Sequence, residues 1–136
     1  MAKILLVEDE EQLRSMLRFV LEDAGHEVEE AGNGKEAEDS YRLRSADLLI
    51  TDIIMPGEEG IETIIKFRKS HPNTKIIAMS GGGRTDAQNY LDLARRLGAD
   101  HTLAKPFSNG DLLTSINKLL QPEDFASPQD ESRADK

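Results

Sequence analysis

Three carboxylates and one lysine stand where short apolar runs of this sequence end. Ile4–Val7 (ILLV) runs into Glu8 and Asp9, Leu48–Thr51 (LLIT) into Asp52, and His101–Ala104 (HTLA) into Lys105. Short apolar runs that alternate with helical stretches read as buried parallel strands. In such sheets the carboxyl ends of the strands form the edge where ligands bind. The acids and the lysine are therefore expected on one edge. Crowded carboxylates repel each other, and a proton or a divalent cation must relieve them. An all-oxygen site of two or three carboxylates suits Mg²⁺, which keeps several waters and accepts phosphate oxygens. A carboxylate beside such a cation and a lysine is a candidate nucleophile toward phosphorus.

To bring these residues together, strand and helix must alternate five times along the chain. The first strand is read at Lys3–Val7 and a helix from Glu11 to Ala24, with Leu13, Leu17, Val20 and Leu21 at helical spacing and Gly25 as its stop. A weaker strand follows at His26–Ala31, where Val28 is the one strong residue. Gly32-Asn33-Gly34 is a turn. A mostly polar helix, Lys35–Arg44, has a thin inner face of Ala37, Tyr41 and Leu43. The third strand is Leu48–Asp52, and Met55-Pro56-Gly57 then breaks the chain. The helix Gly60–Ser70 carries Ile61, Ile64, Ile65 and Phe67. The fourth strand is Lys75–Met79, followed by the loop Ser80–Gly83 and a helix from Thr85 to Leu97 that stops at Gly98. The fifth strand is Thr102–Ala104. The last helix starts at Ser108, where Ser108 and Asp111 have capping-box spacing, and runs to Leu120.

Length and charge bound the function. At 136 residues the chain is one domain with room for a core. The net charge of −9 and the lack of a lysine or arginine block argue against nucleic-acid binding and against an anionic membrane surface. With no cysteine there is neither a disulfide frame nor a thiolate metal site. No apolar stretch reaches the ~18–20 residues of a membrane span, and no signal peptide opens the sequence, so a cytoplasmic location is expected. Residues 1–121 read as the folded domain. Residues 122–136 are rich in acids and poor in apolar side chains, and are expected to be a flexible tail or a truncated linker.

In order and at their spacing, LLVEDE (Leu5–Glu10), TDIIMPGEEG (Thr51–Gly60), AMSGGG (Ala78–Gly83) and AKPF (Ala104–Phe107) resemble the receiver domain of two-component response regulators. The resemblance covers about Lys3 to Leu120. It implies a doubly wound, flavodoxin-like α/β fold, a five-stranded parallel sheet of order 2-1-3-4-5 with helices on both faces. It implies Asp52 as the phosphoacceptor, with Lys105 pairing a phosphoryl oxygen and Ser80 as the switch hydroxyl. Mg²⁺ would be the cofactor, held by Asp9 directly, by Glu8 through water, by Asp52 and by the main-chain carbonyl of Ile54. Pro106 is expected to follow a cis peptide bond. The family usually carries an aromatic residue three positions before the lysine. Here Thr102 stands there, so coupling is expected to lean on Ser80 and the glycines after it.

The same resemblance implies the partners. They are a histidine kinase or histidine phosphotransfer protein upstream, and a protein target or fused output domain downstream. The chain would be a monomer or a weak dimer through the face of the fourth helix, fifth strand and fifth helix. It would be a regulatory phosphoacceptor, catalysing only its own phosphorylation and dephosphorylation. Two other functions stay open. An aspartyl-nucleophile phosphatase uses similar groups but needs a second acid two residues after the nucleophile, where Ile54 stands. A non-phosphorylated interaction module would have no use for clustered acids. The first strand-to-helix turn bears Glu8-Asp9-Glu10 where a dinucleotide fold needs glycines. His26, His71 and His101 lack ligand spacing and read as surface residues. Met16, Met55 and Met79 read as core or loop filler.

Overall fold

The computed structural model describes residues 2–53, 59–80 and 87–121. Five strands and five helices alternate: β1 (Lys3–Val7), α1 (Glu11–Asp23), β2 (Glu27–Ala31), α2 (Gly34–Leu43), β3 (Leu48–Asp52), α3 (Glu59–Ser70), β4 (Lys75–Ser80), α4 (Ala87–Leu97), β5 (His101–Ala104) and α5 (Asn109–Leu120). The strands form one parallel sheet in the order β2-β1-β3-β4-β5. Both the alternation and the strand order agree with the sequence reading.

The unbroken apolar strands follow from burial on both faces. Successive side chains point to opposite sides of a strand. Ile4 and Leu6 of β1, Leu48 and Ile50 of β3, and Ile77 and Met79 of β4 pack with Leu17 and Leu21 of α1 and Leu112 and Ile116 of α5. Leu5, Val7, Leu49 and Ile76 take the other face, with Ala37 of α2, Ile64 and Phe67 of α3, and Ala94 of α4. The edge strand β2 buries only Val28 and Ala31 and leaves Glu27 and Glu29 exposed, which is why it reads weakly in the sequence.

Several side chains fall elsewhere than expected. Leu43 is 86% exposed, because α2 ends there, past the inner stripe of Ala37 and Tyr41. Ile65 is 42% exposed beside the buried Ile64, since neighbours on a helix face different ways. Met16 is 52% exposed on α1, whereas Met79 is core. The histidines are half-buried and not simply on the surface. His71 stacks on the ring of Tyr41 with centroids 4.0 Å apart, and Nδ1 of His26 accepts the Ala2 N–H at 3.2 Å. Ile54, Met55, the glycines Gly81–Gly83 and residues 122–136 lie outside the described residues.

Candidate phosphoacceptor site

Strand register decides which residues meet. Val7 pairs with Thr51, Thr51 with Ala78, and Ala78 with Thr102, so these four form one row across the sheet. One step further toward the carboxyl edge come Glu8 and Asp52, with Met79 beside Asp52. Ser80 is the next residue of β4, paired with Ala104, and Lys105 follows. Main-chain bonds hold the strand ends level. Glu8 N–H donates to Ala31 O at 3.1 Å, Ile53 N–H to Met79 O at 2.9 Å, and Lys105 N–H to Ser80 O at 2.8 Å.

Side chains close the cluster. The Lys105 ammonium donates to Oδ2 of Asp52 at 2.7 Å and to Oε1 of Glu8 at 3.1 Å. The other Glu8 oxygen, Oε2, accepts the main-chain N–H of Glu10 at 3.2 Å. Carboxylate oxygens of Glu8, Asp9 and Asp52 all lie within 4.8 Å of one another. Glu8 and Asp52 are buried, at 2% and 4% exposure, while Asp9 is exposed. The peptide bond between Lys105 and Pro106 is cis.

Electrostatics follow from this crowding. Burial pushes the Glu8 carboxyl above its ordinary pKa; the Lys105 charge and the Glu10 N–H pull it back only in part, and the Asp52 charge adds to the rise. Burial works against the charged form of Lys105 as well. Its bonds to Asp52 and Glu8 and their negative charges outweigh that, so the ammonium is held above the usual lysine range. Lys105 is thus the internal counter-ion of the acids.

The donor set fits a hard divalent cation. It is made only of oxygens, from three carboxylates close enough to share one ion, with one of them open to water. Ile54 falls outside the described residues, so no position is assigned to its carbonyl. Ser80 is fully buried at the end of β4, and its Oγ has no hydrogen-bond partner among the described residues. A buried hydroxyl left unpaired costs about 1–3 kcal/mol, and such groups call for an explanation.

Thr102 is half-buried, and its Oγ1 accepts from Nη2 of Arg95 on α4 at 3.3 Å. One residue near the acids was not legible in the sequence. Arg14 of α1 donates from Nη1 to the main-chain oxygen of Glu8 at 2.7 Å and from Nε to Oε1 of Glu30 at 2.8 Å. Nothing in the spacing of Glu8, Arg14 and Glu30 marks them as neighbours, because β2 and α1 meet only in the folded sheet.

The sequence profile described as "Response regulator receiver domain" matches residues 4–117. The chain belongs to that family. It is 36% identical over 129 residues to the transcriptional regulatory protein CpxR of Escherichia coli K12, a match covering 95% of this chain and 53% of CpxR. It is also 36% identical over 118 residues to the chemotaxis protein CheY of Thermotoga maritima, covering 86% of this chain and 96% of CheY. The receiver domain thus spans about half the length of the CpxR relative and nearly all of CheY. Among solved structures, a response regulator receiver domain protein from Clostridium thermocellum superposes with a TM-score of 0.81 at 31% identity, covering 93% of this chain and 100% of that one. A CheY-like receiver from Methanospirillum hungatei gives 0.80 at 28% identity, covering 93% and 99%. No described helix of the domain is long and apolar enough to cross a membrane.

Proposed function

We propose that this receiver domain is a phosphoacceptor switch that takes a phosphoryl group onto Asp52. One observation carries the reading: a single ammonium, Lys105, bridges two buried acids, 2.7 Å from Asp52 and 3.1 Å from Glu8. The donor would be phosphohistidine on a histidine kinase or phosphotransfer protein. A carboxylate oxygen of Asp52 attacks phosphorus, the new O–P bond forms, and the P–N bond breaks with its electron pair leaving on the imidazole. Lys105 moves from the carboxylate to a phosphoryl oxygen, so its charge stays paired throughout. Burial at the strand ends limits water around the acyl phosphate.

Mg²⁺ would be held by Asp9, Glu8 and Asp52, and when bound it supplies positive charge against the phosphoryl oxygens. Asp9, the exposed member, would meet the cation directly. Glu8 is already engaged by Lys105 and the Glu10 N–H and would act through water. The product adds about −1.5 to −2 charge, and Ser80 Oγ, without a partner among the described residues, is a nearby hydroxyl that would donate to it. A target protein or an output domain would read the resulting change. The clustered acids favour this reading over a module that is never phosphorylated.

Acetyl phosphate with Mg²⁺ tests the reading. The expected result is one phosphoryl group per chain, stable to acid and released by hydroxylamine, seen by intact mass. Asp52→Asn should abolish it. Labelling of that variant at the wild-type level would place the acceptor elsewhere.

A further inference from the structure

The turn that carries Glu8 and Asp9 has little to fasten it locally. It leads directly into α1, whose N-cap residue Glu10 makes no side-chain cap bond. Within the turn itself, among the described residues, Glu8 Oε2 accepts the Glu10 N–H at 3.2 Å. The stronger tie comes from outside. Arg14, in the first turn of α1 and six residues after Glu8, donates from Nη1 to the main-chain oxygen of Glu8 at 2.7 Å. That oxygen belongs to the peptide plane joining Glu8 to Asp9. Holding it sets the direction in which Asp9 leaves the strand.

Arg14 is itself held. Its Nε donates to Oε1 of Glu30 at 2.8 Å, and Arg18 engages the other oxygen of Glu30. The Arg14 and Glu30 side chains are only 19% and 25% exposed, so the pair is better shielded than an ordinary surface ion pair. Gly32 leaves the space it needs: a Cβ there would lie 3.4 Å from Arg14 Nη1 and 3.3 Å from Glu36 Oε1. Glu30, Arg14 and the Glu8 carbonyl thus form a chain from the edge strand to the acidic turn.

We propose that Arg14, fixed by Glu30, is the positioning residue of the cation site, orienting the Glu8–Asp9 peptide so that both acids address one ion. Arg14 touches neither the cation nor the phosphoryl group. The inference rests on the acids binding Mg²⁺, as the phosphoacceptor reading requires.

The sign of the effect separates positioning from plain charge. Arg14 is a cation close to a cation site, so on charge alone its removal should tighten Mg²⁺ binding. Glu30 is an anion, and on charge alone its removal should weaken it. Positioning predicts weakening in both cases. Outer partners of metal ligands typically change affinity by about 10–100-fold; with charge opposing in one variant, a loss of roughly three- to tenfold is expected for Arg14→Gln.

The experiment titrates Mg²⁺ alone into the full chain, followed by backbone amide shifts. It uses wild type, Arg14→Gln, Glu30→Gln and the double variant. Both single variants should bind more weakly, and the double should be no weaker than the worse single, because one strap can be broken only once. In the metal-free protein the Glu10 amide should exchange faster in both single variants, while β1 and α1 amides keep their protection. Arg14→Lys, which reaches one partner at a time, should fall between wild type and Arg14→Gln. Binding by Arg14→Gln as tight as wild type, or tighter, overturns the inference while leaving the phosphoacceptor reading intact. A wild-type protein with no Mg²⁺ response overturns both.

Discussion

Glu8 is a carboxylate at 2% exposure, and its main influence is burial, which raises its pKa above the ordinary 4.5. The folded protein therefore keeps this proton at a pH where the unfolded chain has released it. Ionising Glu8 costs folding free energy, nothing below about pH 4.5 and progressively more as pH rises through the folded value. Glu8→Gln should accordingly raise the melting temperature of the metal-free protein at pH 7, and the gain should shrink toward pH 4. Melting curves across that range check it; a gain that grows on acidification would show that the Lys105 contact, not burial, dominates Glu8. Lys105 has the opposite linkage. Its pKa is raised from 10.5, so its contribution is present at all lower pH and is lost only as pH climbs through the folded value. The two windows do not overlap: Lys105 stays charged throughout the acid-side experiment, so its own titration does not enter the Glu8 result. Glu8, Asp9, Asp52 and Lys105 were legible in the sequence because each ends an apolar run. Arg14 and Glu30 were not, because a long side chain reaching across two elements leaves no periodic trace.

The elements best read from the sequence are those whose burial is complete. The bounds of β1 and β3 agree residue for residue with expectation, because a strand buried on both faces must be apolar throughout. Helix ends shift by a residue or so, as at α1 and α2, since a fraying last turn carries no pattern. The capping box at Ser108 and Asp111 forms as its spacing suggests. Gly98 was legible as the stop of α4, but the reason for it was not. Its φ is +133°, and a Cβ there would come within 2.9 Å of Arg68. Arg68 donates to Gly98 O at 2.8 Å, to Pro72 O at 2.8 Å, to Thr74 O at 3.2 Å and to Asp100, tying the end of α3 to the α4–β5 turn. Gly98→Ala should thus lose twice, through backbone strain of about 1–3 kcal/mol and through displacement of Arg68. Urea unfolding should show the loss with an unchanged m-value. A change within about 0.3 kcal/mol, well under the strain cost, would mean that Arg68 yields freely. The proposed phosphorylation at Asp52, on the opposite edge of the sheet from this turn, should survive.

Across the whole molecule, on the proposed reading a signal at Asp52 would travel sideways through the sheet to reach α4 and β5. The register supplies the route: Asp52 lies beside Met79, Ser80 beside Ala104, and Thr102 two residues back along β5, where Arg95 of α4 holds its hydroxyl. Threonine has less apolar area than an aromatic ring, so an inward Thr102 would be stabilised less. The Arg95 bond further fixes it to α4. Ser80 is different. Its buried Oγ has no partner among the described residues, so a phosphoryl oxygen would give it one, and the differential interaction required to shift a two-state equilibrium is then present. Beryllofluoride, a mimic of the acyl phosphate, should therefore move backbone amides of β5 and of Asp92–Leu97 in wild type. Ser80→Ala should bind beryllofluoride at Asp52 and lose most of those distant shifts. Thr102→Val removes the acceptor of Arg95 while keeping its shape, and should retain them. Distant shifts that persist in Ser80→Ala and vanish in Thr102→Val would place the coupling on the Arg95–Thr102 contact instead, and α4 would then be read as following β5 rather than the end of β4.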